Sequence, residues 1–126
     1  MTKILVIEDH PTSRELMTYI LRCTGHEVIE TGDGRAGLDL ARAHRPDLVI
    51  SDVQLPGMNG FEIVAAIKRD PELAAIPVVA VTASAMSGDR ENIIAAGFDD
   101  YLSKPIDPEI FAHQIARHLP PQRSSQ

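Results

Sequence analysis

A single cysteine, Cys23, stands in the whole chain, so neither an intramolecular disulfide nor a thiolate metal cluster can form. It shares the apolar face of a predicted first helix with Leu16 and Ile20, where a buried small hydrophobe is expected and a reactive thiol is not. Apolar stretches are short, and none approaches the roughly 20 residues that span a bilayer. The start Met1-Thr2-Lys3 runs straight into a strand-like segment, without an apolar signal core or cleavage site. A cytoplasmic setting is therefore the expectation. Positive charge is scarce too: 12 Lys and Arg against 18 Asp and Glu leave a net charge of −6. No basic stripe is available to neutralise phosphates, which argues against nucleic-acid binding. A Gly-x-x-x-x-Gly-Lys-[Ser/Thr] phosphate loop is missing, as is the Gly-x-Ser-x-Gly elbow of a serine hydrolase. The 5 histidines form no zinc pattern: His113 and His118 do not share a helix face, and His10, His26 and His44 fall at predicted element ends.

What is present is the balance of an ordinary globular domain, with 44% hydrophobic and 24% charged residues in 126. Short β-branched runs alternate with segments of helical period, the pattern of repeated βα units and a parallel sheet. Strands are predicted over residues 3–8, 27–31, 47–52, 76–82 and 98–103. Helices are predicted from Pro11 to the region of Gly25, over 34–44, after the loop 54–60 as far as Asp70-Pro71, over 87–96 and over 107–119. Pro11 suits a first helical turn, Gly25 a helix end, and Arg42 and His44 the negative end of a helix dipole. Leu48, Val49 and Ile50 are apolar in succession, as in a central strand buried on both faces. Right-handed crossovers then give a doubly wound α/β fold with five strands. Residues 1–119 read as one domain and 120–126 as a short flexible tail.

Four of the apolar runs end in residues suited to phosphoryl chemistry. The first runs into Glu8-Asp9, the third into Asp52, the fourth into Thr82 and the fifth into Lys104. In a parallel sheet these ends share one edge, where open α/β sheets bind their ligands. A carboxylate such as Asp52 can attack phosphorus and hold the group as a mixed anhydride. Three acidic groups near one point repel each other, and a hard cation such as Mg²⁺ relieves that repulsion with oxygen ligands. Lys104 and Thr82 would supply a point charge and a hydroxyl donor to phosphate oxygens. Taken singly, each residue has a plain alternative: Asp52 as a turn residue, Glu8-Asp9 as favourable charges near a helix N-terminus, Lys104 as a solvated lysine, Thr82 as a strand residue. Their joint occurrence at four strand ends favours the chemistry.

Together the motifs Val6-Ile7-Glu8-Asp9, the ten residues from Ser51 through Gly60, Val81-Thr82-Ala83 and Tyr101-Leu102-Ser103-Lys104-Pro105 carry a resemblance over nearly the full length. The chain resembles the receiver domain of two-component response regulators. That resemblance implies a flavodoxin-like sheet in the order 2-1-3-4-5 with five helices. It further implies that Asp52 accepts a phosphoryl group from a histidine of a sensor kinase or phosphotransfer protein. Glu8, Asp9, Asp52 and the Gln54 backbone carbonyl would hold Mg²⁺, and Lys104, before a cis peptide bond to Pro105, would pair with the phosphoryl oxygens. Thr82 and Tyr101 are the implied switch residues, and Gln54 and Ser84 the positions that tune acyl-phosphate lifetime. A small Ala83 should leave the site open to a partner. The fourth helix, fifth strand and fifth helix would form the surface that changes and engages a downstream protein target.

A stand-alone phospho-switch in a phosphorelay is the leading expectation: a signalling protein, not an enzyme acting on other substrates. A receiver excised from a hybrid histidine kinase is the near alternative. From a different class, a Mg²⁺-dependent phosphatase with an aspartyl nucleophile is disfavoured by Gln54, because an amide two residues after the nucleophile cannot serve as a general acid.

Overall fold

A computed structural model describes residues 2–55, 57–83 and 87–119, with the side chains of residues 87–89 left aside. Ser84 and the tail 120–126 lie outside the described residues. The chain alternates β1 (Lys3–Ile7), α1 (Pro11–Cys23), β2 (Glu27–Thr31), α2 (Gly34–His44), β3 (Leu48–Asp52), α3 (Gly60–Arg69), β4 (Val78–Thr82), α4 (Ser87–Ala95), β5 (Asp100–Ser103) and α5 (Pro108–Ala116). All strand pairs are parallel, in the order β2-β1-β3-β4-β5. The fold class and strand order are those expected.

Successive strand residues point to opposite faces, and each face has its own core. Ile4, Val6, Leu48, Ile50, Val79 and Val81 meet Met17 and Leu21 of α1 and Phe111 and Ile115 of α5. Leu5, Ile7, Val49, Val78 and Ala80 meet Leu38 of α2, Ile63 and Ile67 of α3, and Ile93 of α4. Every residue of β3 and β4 is buried, which accounts for their unbroken apolar sequence.

Two details of α1 follow from its packing. Gly25 takes φ +91 just beyond the helix, a conformation that costs an L side chain but not glycine. Cys23, expected to be buried, is exposed. The inward stripe is Met17, Ile20 and Leu21, while Leu16 is partly buried at its border. Rotating the stripe by one position turns Cys23 to solvent.

Strand starts are shorter than the sequence pattern suggests. Ile76 belongs to a turn, its N–H bonded to the Leu73 carbonyl and its own carbonyl taken by Lys68 Nζ at 3.0 Å. Phe98 closes the end of α4 by bonding back to Ile93 before β5 begins. Helix α5 ends at Ala116, and His118 and Leu119 continue it only as tighter turns onto Ile115 and Ala116.

Candidate functional site at the carboxyl edge of the sheet

Because all the strands are parallel, the residues that follow β1, β3, β4 and β5 meet at one edge. Three of the expected side chains converge there. Lys104 Nζ lies 2.9 Å from Asp52 Oδ2 and donates to Glu8 Oε2 at 3.1 Å. Glu8 is fully buried, Asp52 is 5% exposed, and the Lys104 side chain is mostly covered. Asp9 stands beside them, partly open to solvent.

The two oxygens of Asp52 have different neighbours. Oδ1 accepts the Gln54 N–H at 3.0 Å, so the carboxylate also caps the start of the β3–α3 loop. Oδ2 faces the ammonium. Turn-capping and site-building are thus both properties of Asp52.

Burial pushes the Glu8 carboxyl above the usual carboxylate range, opposed by the His10 N–H and aided by the neighbouring Asp52. Desolvation by itself would lower the Lys104 ammonium, but the bonds to Asp52 and Glu8 outweigh it and hold the group above the ordinary lysine value. Two carboxylates therefore share one ammonium, with Asp9 a third acidic group in the same cluster. Glu8 Oε1 is the clearest sign of imbalance: buried and 3.0 Å from Lys104 Nζ, it receives no hydrogen bond of acceptable geometry. An acceptor so placed, among carboxylates whose ligand atoms lie within 4.8 Å of one another, fits a hard divalent cation.

Thr82 sits at the end of β4, buried, and its carbonyl accepts the Lys104 N–H at 2.9 Å. The Lys104–Pro105 bond is cis. Tyr101 is partly buried against the core, with the Arg90 guanidinium 5.4 Å from its ring centroid. Gln54 is exposed in its loop. Ser84, the other expected rate-tuning position, is outside the described residues.

Sequence reasoning missed His10. It stands at the N-cap position of α1 without a side-chain capping bond, its N–H donates to Glu8 Oε2 at 3.0 Å, and its ring joins the same cluster of possible ligands. Its position directly after Asp9 was the available signal.

The fold and this edge define a class of phosphoacceptor signalling domain, and comparison with known proteins gives the family. The response regulator receiver domain model matches residues 4–116, and the chain belongs to that family. It is 43% identical over 116 residues to the polar-differentiation response regulator DivK of Brucella anthropi, covering 92% of this chain and 94% of that one. The chemotaxis protein CheY4 of Vibrio cholerae superposes with a TM-score of 0.89 at 32% identity, covering 94% of this chain and 99% of that chain. The receiver domain of the sensor histidine kinase PA1611 from Pseudomonas aeruginosa, solved with a magnesium ion in its active site cleft, gives a TM-score of 0.85 at 32% identity, covering 92% and 95%. No described helix is long and apolar enough to cross a membrane.

Proposed function

We propose that the chain is a stand-alone receiver that takes a phosphoryl group onto Asp52 from a phosphohistidine and uses it to switch a protein-binding surface. The observation that carries this reading is the Asp52–Lys104 contact of 2.9 Å beside the buried Glu8. In the transfer, an Asp52 oxygen forms a bond to phosphorus while the phosphorus–nitrogen bond breaks and the imidazole keeps the electron pair. Lys104 is already positioned to follow charge from the carboxylate onto the new phosphoryl oxygens. Glu8, Asp9, Asp52 and the Gln54 carbonyl would hold Mg²⁺, which when bound neutralises the carboxylates and the incoming phosphate.

Thr82 is the hydroxyl donor of the same reading, and Tyr101 its reporter. A new dianion at Asp52 would favour one arrangement of the β4–α4 loop over another. The responding face is α4-β5-α5. Exposed Ile94 and Ile110 lie on α4 and α5, and a groove of about 530 Å³ runs beside Tyr101, Ile106 and Phe111, which suits a protein target. Residues 1–119 would form the working domain, in a cytoplasmic setting with a sensor histidine kinase or phosphotransfer protein as donor. The 43% identity to DivK, against 32% to the receiver of the PA1611 kinase, favours the stand-alone form over a receiver excised from a hybrid kinase. Gln54 and Ser84 would set the lifetime of the acyl phosphate.

Intact-protein mass after incubation with Mg²⁺ and a small acyl-phosphate donor tests the reading. One phosphoryl group is expected on the native chain, lost on standing, and none on Asp52→Ala. No adduct, together with no binding of beryllofluoride, would overturn it. Continuous turnover of phosphate esters would favour a phosphatase.

A further inference from the structure

The ladder between β1 and β2 runs from Lys3↔Glu27 to Ile7↔Thr31, and the Glu8 N–H extends it by bonding the Thr31 carbonyl at 3.0 Å. In a parallel ladder the Glu8 carbonyl points to the same neighbour and would take the next N–H, that of Asp33. It does not. The chain turns away at Gly32, and the Asp33 N–H goes to Thr31 Oγ1 at 3.3 Å. Arg14 fills the gap: its Nη1 donates to the Glu8 carbonyl at 2.8 Å, while its Nε bonds Glu30 Oε1 at 3.2 Å. Gly32 packs onto this arrangement, where an added Cβ would lie 2.9 Å from Arg14 Nη1 and 3.5 Å from Asp9 Cα.

We propose that Arg14 is a positioning residue of the cation site, holding the Glu8–Asp9 peptide so that both carboxylates face the same point. The inference rests on the Mg²⁺-binding reading of that site. The carbonyl that Arg14 holds belongs to the peptide joining the two acidic residues, so a rotation there moves both. The guanidinium meets these two acceptors with two different nitrogens, Nη1 and Nε, a planar arrangement that the single nitrogen of a lysine does not reproduce. Arg14 itself touches no reacting group. The Glu30 bond orients the guanidinium and offsets its charge, which would otherwise oppose a cation.

Calorimetric titration of the full chain with MgCl₂ near neutral pH tests this, with Arg14→Met, Arg14→Lys and Glu30→Gln beside the native protein. Partners outside the ligand sphere typically contribute about 10–100-fold to metal affinity, and Arg14→Met is expected to weaken Mg²⁺ by about tenfold. Glu30→Gln keeps the bond to the carbonyl but leaves the Arg14 charge without its offset, and should weaken Mg²⁺ by clearly less than Arg14→Met. Arg14→Lys keeps the charge but not the fork; should the Met variant fail to fold, weakened Mg²⁺ binding by the Lys variant supports the role, and native affinity overturns it. Native affinity in Arg14→Met, or equal losses in Arg14→Met and Glu30→Gln, would reduce Arg14 to a helix–strand staple. No Mg²⁺ binding by the native chain would overturn the underlying cation reading and this inference with it.

Discussion

Lys104 reaches Asp52 across the sheet edge with 2.9 Å between Nζ and Oδ2, and the same ammonium serves Glu8. Two buried carboxylates thus share one cation. Lys104→Ala leaves them facing each other, and removing one partner of a buried pair costs about 3 kcal/mol. Thermal unfolding in chelator should fall by roughly 10 °C for a domain of this size. Mg²⁺ takes over the neutralising charge, so its stabilising shift is expected to be larger in the variant than in the native protein. Equal shifts in both would show that ammonium and metal do not compensate the same charges.

Gly60 tests how closely the third helix is fitted to the phosphoacceptor strand. Its N–H donates to the Val53 carbonyl at 3.0 Å, and a Cβ there would meet the Asp52 carbonyl oxygen at 2.4 Å and Val53 Cα at 2.8 Å. Both are backbone atoms and cannot rotate away. Gly60→Ala is expected to destabilise by about 1–3 kcal/mol, the range for overpacking, despite alanine's better helix propensity. Urea unfolding measures it; a neutral or stabilising result would mean that the helix slides freely against β3.

How far the sequence disclosed this molecule depended on range. Central strands were legible because Leu48, Val49 and Ile50 are buried on both faces, so no face had to be chosen. The register of α1 was not. Leu16–Ile20–Cys23 and Met17–Ile20–Leu21 are both apolar at helical spacing, and only the packing against Val6 and Leu102 selects the second. Glu8, Asp52 and Lys104 were readable as strand ends, since parallel topology alone brings them to one edge. The Arg14 bond to the Glu8 carbonyl was hidden because it depends on where β2 leaves the ladder, which no local pattern records. His118 likewise meets Asp100 only through the packing of α5 on β5.

Tyr101 offers an optical test of the switch. The chain has 2 tyrosines and no tryptophan. Tyr19 is 67% exposed on α1, and Tyr19→Phe leaves Tyr101 as the sole strong emitter. Its ring now borders the core beneath Arg90. Beryllofluoride with Mg²⁺ is expected to reduce the acrylamide quenching of that emission as the ring turns inward. Unchanged quenching on saturation with the mimic would remove Tyr101 from the switch while leaving the phosphoacceptor untouched.

Asp100 gives the protein an acid-sensitive tie between β5 and α5. Burial would raise its carboxyl, but bonds from His118 at 2.9 Å, the Tyr101 N–H at 2.8 Å and Gln114 at 3.3 Å outweigh it and hold the group below the ordinary aspartate value. A carboxyl depressed by folding stabilises the native state fully above its unfolded value, near 3.8, and that contribution disappears as pH falls through the lower folded value. Asparagine does not titrate and is a weaker acceptor. Native and Asp100→Asn proteins, compared by urea unfolding across the acid range, should therefore differ most above about pH 4 and converge below it. A constant gap at every pH would show that the side chain acts through packing, with no part for its charge.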